Sequence, residues 1–212
     1  MSLIENNACS LFAPVNESAQ KKLCSKVNFP LIIKHRPRKS NVLGPPSEKC
    51  SIVGDGNCLF PALSYVITGR QSYHKTIRAK IIEHMKTIED QLQPHMNCSL
   101  ENYLQMSKMK IDGICGTDIE IFAAASLLST DIFVYTNISN TYNWQHFSKK
   151  MLDGSLPENE SAIYFEHVNR VHYDVVLDVS FQSTKLNGTQ ISKVYKRKKS
   201  NNDYPEKITP KT

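Results

Sequence analysis

The chain has 212 residues, of which 40% are hydrophobic and 22% charged, a composition typical of a soluble domain with tails. Its apolar runs are shorter than the roughly 20 residues of a membrane-spanning helix, and its N-terminal segment lacks a secretory signal pattern. The net charge of +6 is unevenly spread, because residues 51–184 hold 10 basic and 15 acidic residues between two basic ends.

These patterns divide the chain into three parts. We predict an N-terminal extension over 1–50, in part a linker, a folded domain over 51–180, and a disordered basic tail over 181–212. The acidic domain is not typical of a nucleic-acid-binding surface, although the tail could bind nucleic acid weakly. The tail contains "KVYKRKK" at 193–199, which fits either a nuclear-localisation signal or a solvated segment. We expect a cytosolic or nuclear protein with reduced thiols.

Helices come first in the predicted domain and strands follow. Apolar spacing predicts one helix from about Cys58 to Gly69, a second over 73–92, and a third after Ser99. Thr117 and Glu120 form a capping-box pattern that starts a fourth helix over 118–129. Four strands are predicted at the end of the domain: 131–136, "WQHF" at 144–147, "AIYFEH" at 162–167, and 171–179. This order predicts an α+β fold in which helices flank a small sheet.

The segment "VGDGNCLF", residues 53–60, brings a cysteine to the start of the first helix. A helix N-terminus favours negative charge and lowers a thiol pKa, so that Cys58 could be a nucleophile as well as a buried packing thiol. The preceding turn, Gly54 to Asn57, presents backbone N–H groups that could bind an oxyanion.

A nucleophilic thiolate also needs a base and a residue that orients it. His172 and Asp174 lie two residues apart on a strand and therefore share a face, with Tyr173 and Val175 on the core side. The pair of His167 and Asn169 is an alternative on the same logic, in a less apolar stretch.

Three motifs in order, "GDGNCLFPALS", "GTDIEIFAAASLLSTDIFVY" and "VHYDVVLD", resemble the ovarian tumour (OTU) family of cysteine proteases over about 52–180. The resemblance implies a papain-like α+β fold and cleavage of isopeptide bonds at the C-terminal glycine of ubiquitin or ubiquitin chains, with a ubiquitin-like modifier as the alternative partner. By position, Cys58 would be the nucleophile, His172 the base and acid, and Asp174 the orienting residue. Asp55, Gly54, Gly56 and Asn57 would shape the oxyanion loop. The residues expected to contact ubiquitin are His167, Val168, Asn169, Arg170 and Val171.

The resemblance implies a monomer that uses neither a metal nor an organic cofactor. The chain departs from the family at two positions: Pro61 stands where many members have a basic residue, and Cys115 where many have Trp. Loss of that Trp could loosen the wall of the site. Two alternatives to a deubiquitinase therefore stay open: a ubiquitin-binding module with little catalysis, and a basic adaptor whose tails bind nucleic acid.

Overall fold

Helices fill the middle of the chain and strands its second half in the computed structural model, which describes residues 2–3, 11–32, 41–138, 141–150 and 161–180. The described helices are α1 (Glu17–Lys26), α2 (Leu59–Thr68), α3 (His74–Thr87), α4 (Glu89–Leu92), α5 (Leu100–Met106) and α6 (Asp118–Leu128). The described strands are β1 (Ser2–Leu3), β2 (Leu11–Phe12), β3 (Asn41–Val42), β4 (Pro46–Cys50), β5 (Ile132–Ile138), β6 (Thr141–Phe147), β7 (Ile163–Val168) and β8 (His172–Val179). The predicted α+β class is confirmed.

The main sheet has six strands in the order β1-β6-β5-β7-β8-β4, with β2 and β3 forming a separate pair. It is a mixed sheet, because β5 and β7 are parallel while the other neighbours are antiparallel. Strand β6 begins at Thr141, three residues before the predicted segment. Its first residues are largely exposed and pair with the end of β5, so they carry no apolar signal.

Both faces of the sheet are covered. The helices pack on one face, where Ile132, Phe165 and Tyr173 join the main core. On the other face, Phe12 packs against Tyr164 with ring centroids 4.5 Å apart. Burial on two sides explains why these strands are rich in β-branched and aromatic residues.

Segments before the predicted domain start belong to the same fold. Helix α1 is capped by Asn16, whose side chain accepts a hydrogen bond from Ala19 N, and it buries Leu23 and Cys24. Strand β4 pairs with β8. The described residues of α1 and β4, which precede residue 51, therefore pack together with the helices and strands of the predicted domain. The sequence of α1 is mostly polar, so its apolar spacing does not reveal that one face is buried. The predicted tail, 181–212, lies outside the described residues.

The predicted helix over 73–92 is divided at Ile88. Residues 71–73 form a 3-10 turn, α3 ends at Thr87, and α4 follows. At Ile88 the backbone leaves helical geometry (φ −125°, ψ 23°), and its N–H donates to Met85 O three residues back. Thr87 and Ile88 are adjacent β-branched residues, which are poor helix formers. Across the ranges given above, no helix is long and apolar enough to cross a bilayer.

The burial of α1 predicts that Leu23 contributes to folding. Leu23 is 2% exposed in the main core. Leu23→Ala should lower the free energy of unfolding by about 2–5 kcal/mol, because it removes buried methyl groups and leaves a cavity. Denaturant unfolding measures this, with exposed Lys22→Ala as the control, expected to change stability by less than about 0.5 kcal/mol. Equal effects for the two variants would contradict the packing of α1.

Candidate active site

Cys58 immediately precedes α2. Its carbonyl accepts a hydrogen bond from Ala62 N at 3.1 Å, and Pro61 lies in the first helical turn, where a missing N–H leaves no bond unmade. The Cys58 side chain is only 2% exposed. The sulfur therefore lies at the positive end of the helix in a largely dry environment, which strengthens its electrostatic interactions.

The loop before Cys58 is held by its own side chains. Asn57 N donates to Asp55 Oδ1 at 3.0 Å, which closes a turn over Gly56. Gly56 has φ +82°, and a side chain there would collide with the Gly113 carbonyl. Glycine is thus required at 56. Gly54 is different: an added Cβ would lie 3.9 Å from the His172 ring, at ordinary contact distance.

Asn57 connects this loop to a buried arginine that the sequence analysis missed. Asn57 Oδ1 accepts hydrogen bonds from Arg78 Nη2 at 2.6 Å and from Gly113 N at 2.7 Å. Arg78 also donates to Ile114 O at 2.6 Å and Met109 O at 3.0 Å. The available signal in the sequence was the position of Arg78 beside the apolar stripe of α3. A charged residue in such a position is rarely buried unless it has hydrogen-bond partners.

His172 and Asp174 form a hydrogen-bonded pair on β8. His172 Nε2 lies 3.1 Å from Asp174 Oδ1, and the same oxygen accepts a bond from Ile52 N at 3.0 Å. Because Nε2 is occupied, Nδ1 is the ring nitrogen available for proton exchange, and it faces Gly54. Tyr173 points to the opposite, core side, as predicted from strand alternation.

His167 is separate from this pair. It stacks on Tyr173 with ring centroids 4.2 Å apart. Burial, with smaller effects from Arg170 and His172, lowers the His167 pKa to about 4, so the ring stays neutral near pH 7. His167 stacks on a core tyrosine, whereas His172 has the carboxylate partner that a base needs, so the structure favours His172 over His167 as a base.

The turn between β7 and β8 lies beside the sulfur. Asn169 and Arg170 both have positive φ, 51° and 60°, and Val171 N donates to Val168 O at 3.1 Å. This is the conformation expected of a tight hairpin turn. The Val171 carbonyl is 3.9 Å from Cys58 Sγ, while its side chain is 72% exposed. The predicted contact loop therefore joins the site at Val171.

Cys58 has a second thiol as its nearest neighbour. Its Sγ lies 2.8 Å from Cys115 Sγ. The pKa of Cys58 is lowered to about 6 by the hydrogen bond from Cys115, against an opposing effect of burial, and then by the Tyr173 N–H and the charge of His172. The Cys115 pKa is raised, chiefly by the same hydrogen bond. The thiolate therefore forms on Cys58, and Cys115 keeps its proton.

Within the part of the chain that the structure describes, no three His, Cys, Asp or Glu side chains are grouped so that they could hold a metal ion.

The Arg78 contacts predict that a fork of donors, rather than a positive charge, positions the loop. Arg78→Lys keeps the charge but replaces the two separate donor nitrogens of the planar guanidinium, Nη1 and Nη2, with a single ammonium nitrogen. We expect the variant to lose about 2–4 kcal/mol of stability and to slow alkylation of Cys58. Denaturant unfolding and iodoacetamide labelling measure the two effects, with exposed Lys86→Ala on the same helix as the control. Labelling of Arg78→Lys at the wild-type rate would contradict the positioning role.

The thiol pair predicts a pH effect. The Cys58 thiolate should appear with a midpoint near pH 6 and be lost as the pH falls below it. Cys115→Ala removes the largest stabilising contact, so the midpoint should rise toward the ordinary value of about 8.5. Thiolate ultraviolet absorbance, taken as the difference from the matching protein with Cys58→Ala, measures it. Cys98→Ser is the matched control, and an unmoved midpoint in Cys115→Ala would refute the assignment.

The chain is similar to known proteins over the part that contains this site. Residues 53–173 match the family described as OTU-like cysteine protease. The OVARIAN TUMOR DOMAIN-containing deubiquitinating enzyme 10 of Arabidopsis thaliana is 26% identical over 125 residues, covering 59% of this chain and 33% of that protein. Enzyme 12 of the same plant is 26% identical over 142 residues, covering 67% of this chain and 60% of that protein.

The chain thus spans about a third and three fifths of the lengths of these two relatives. Among solved structures, the OTU domain of OTUD1 has a TM-score of 0.53 and 23% identity, covering 61% of this chain and 85% of that one. This similarity supports the fold. Because the family match covers more than half of the chain, the protein belongs to the OTU-like cysteine protease family.

Proposed function

We propose that this protein is a ubiquitin-directed cysteine isopeptidase that uses Cys58, His172 and Asp174. The observation that carries the proposal is the His172–Asp174 hydrogen bond at 3.1 Å beside a thiol at a helix N-terminus. A thiol with a pKa of about 6 is about nine-tenths ionised at pH 7, whereas an ordinary thiol is only a few per cent ionised. Cys58 is therefore suited to attack a carbonyl carbon.

In the proposed reaction, the Cys58 thiolate attacks the carbonyl of the C-terminal glycine of ubiquitin. The protonated His172 gives its Nδ1 proton to the departing lysine amine, leaving a thioester on Cys58. His172 then accepts a proton from water, which hydrolyses the thioester and restores the thiolate. Asp174 holds Nε2 throughout and stabilises the imidazolium.

The loop before α2 can supply donors to the oxyanion that forms during attack. The Asn57 N–H is already bonded to Asp55, so it is not a free donor. The N–H groups of Gly56 and Cys58 are our candidates, because Gly56 adopts positive φ and Cys58 begins the helix. Asp55 thereby acts through the shape of the loop.

Three loops around Cys58 each expose one apolar side chain. Val53 is 59% exposed, Ile111 is 55% exposed and Val171 is 72% exposed. Exposed apolar residues beside a reactive group favour a protein partner whose tail must enter the site. The relatives' description as deubiquitinating enzymes leads us to name ubiquitin as this partner.

Labelling with ubiquitin that carries a C-terminal electrophile tests this function. Wild-type protein should form a covalent adduct, which is absent in Cys58→Ala. Removing the base should slow labelling in His172→Ala by about 10²–10⁴-fold. Loss of ring orientation in Asp174→Ala should slow labelling by about 10²-fold. Adduct yield and rate are measured by gel shift and intact mass.

Cys98→Ser is the matched thiol control and should label like wild type. Ubiquitin that binds a folded wild-type protein without an adduct would support the binding-module alternative, which the burial of Cys58 favours. An adduct that persists in Cys58→Ala would contradict the assignment of Cys58 as the nucleophile.

A further inference from the structure

The two sulfurs of the site are close because the backbone holds them there. Cys58 and Cys115 are 57 residues apart in sequence, yet their Sγ atoms are separated by 2.8 Å. A disulfide needs a separation of about 2.0 Å, so the sulfurs would have to approach by only about 0.8 Å.

The surrounding contacts fix both segments. Arg78 Nη2 bonds Asn57 Oδ1 and Ile114 O, the residues directly before the two cysteines, each at 2.6 Å. After Cys115, a Cβ at Gly116 would collide with the Leu59 side chain, so the backbone there runs tightly against the start of α2. The fold therefore holds the two cysteine-bearing segments side by side.

We propose that Cys115 is a resolving thiol, which forms a reversible disulfide with Cys58 when a hydroperoxide oxidises the site. The inference rests on the proposed function only in taking Cys58 as the reactive thiolate. It adds a modification site and a means of switching activity off and on.

The chemistry balances in two steps. The Cys58 thiolate attacks one peroxide oxygen, the O–O bond breaks, and Cys58 becomes a sulfenic acid. The other oxygen leaves as hydroxide or alkoxide, which takes a proton from solvent to become water or an alcohol. Cys115 sulfur then attacks the Cys58 sulfur, the S–O bond breaks, and the hydroxyl leaves as water with the Cys115 proton. Two thiols have lost two electrons to one peroxide. An external dithiol restores both thiols by exchange.

Oxidation also prepares Cys115 for the second step. In the resting site, the hydrogen bond to Cys58, burial and the Cys58 charge raise the Cys115 pKa. A neutral sulfenic acid removes that negative charge, while the Arg78 guanidinium still favours a Cys115 thiolate. The resolving thiol thus becomes more reactive only after its partner has been oxidised.

Treatment of the full chain with hydrogen peroxide tests the proposal. Wild type should lose the mass of two hydrogen atoms and yield a peptide cross-linked through Cys58 and Cys115. Ubiquitin-probe labelling should fall at the same rate and return with dithiothreitol. Cys98→Ser is the matched control and should behave like wild type.

Cys115→Ala and Cys115→Ser should instead gain oxygen at Cys58 and progress to sulfinic acid, which dithiothreitol does not reverse. Two substitutions guard against a folding defect in either one. The proposal would be overturned if as large a fraction of oxidised Cys58 reached sulfinic acid in wild type as in these variants, or if Cys58 cross-linked to another cysteine. The mass measurement needs no ubiquitin, so the two proposals can fail separately. A disulfide in a protein that the ubiquitin probe does not label would contradict only the proposed function. Probe labelling in a protein that forms no disulfide would contradict only this inference.

Discussion

One buried amide oxygen, Asn57 Oδ1, determines the geometry of the site. It accepts bonds from Arg78 on α3 and from the backbone of Gly113, and so joins three segments directly before the reactive sulfur. An unpaired buried acceptor or guanidinium is costly, so the contacts are stable only as a set. The loop that could bind an oxyanion and the segment that carries Cys115 are positioned by the same bonds. A change at Arg78 therefore acts on both the nucleophile and its neighbouring thiol.

The sheet supplies the other half of the site. Strand β8 lies between β7 and β4, and its first residue is His172. Asp174 contacts both halves, since one carboxylate oxygen accepts from His172 and from Ile52 N, at the beginning of the loop that leads to Cys58. The carboxylate thus orients the ring and also fixes where the loop leaves the sheet. A strand is a rigid support for such a pair, which suits the role of base that we propose for His172.

Local patterns in the sequence were enough to predict most of the fold and part of the site. The helix start at Cys58, the capping box of α6 and the alternation in β8 depend on residues within a few positions of each other. The hydrogen bonds of Asn57 could not be predicted in that way, because its partners are distant in sequence. Arg78 is 21 residues from Asn57, and Gly113 is 56 residues from it. Helix α1 was missed for another reason. It buries only part of one face, and its polar residues conceal the contribution of Leu23.

The thiol of Cys115 interacts with Cys58 in a way that an aromatic side chain at the same position could not. A large aromatic residue there would pack against the nucleophile without exchanging protons or electrons with it. A thiol at the same position donates a hydrogen bond that lowers the Cys58 pKa and so favours the Cys58 thiolate. The same ionisation makes Cys58 the preferred target of a peroxide, because the thiolate is the reactive form. In the switch that we propose, one short contact therefore both lowers the Cys58 pKa and brings a second thiol within reach of the oxidised Cys58 sulfur. Activation and protection are coupled, since both depend on a sulfur atom in contact with Cys58.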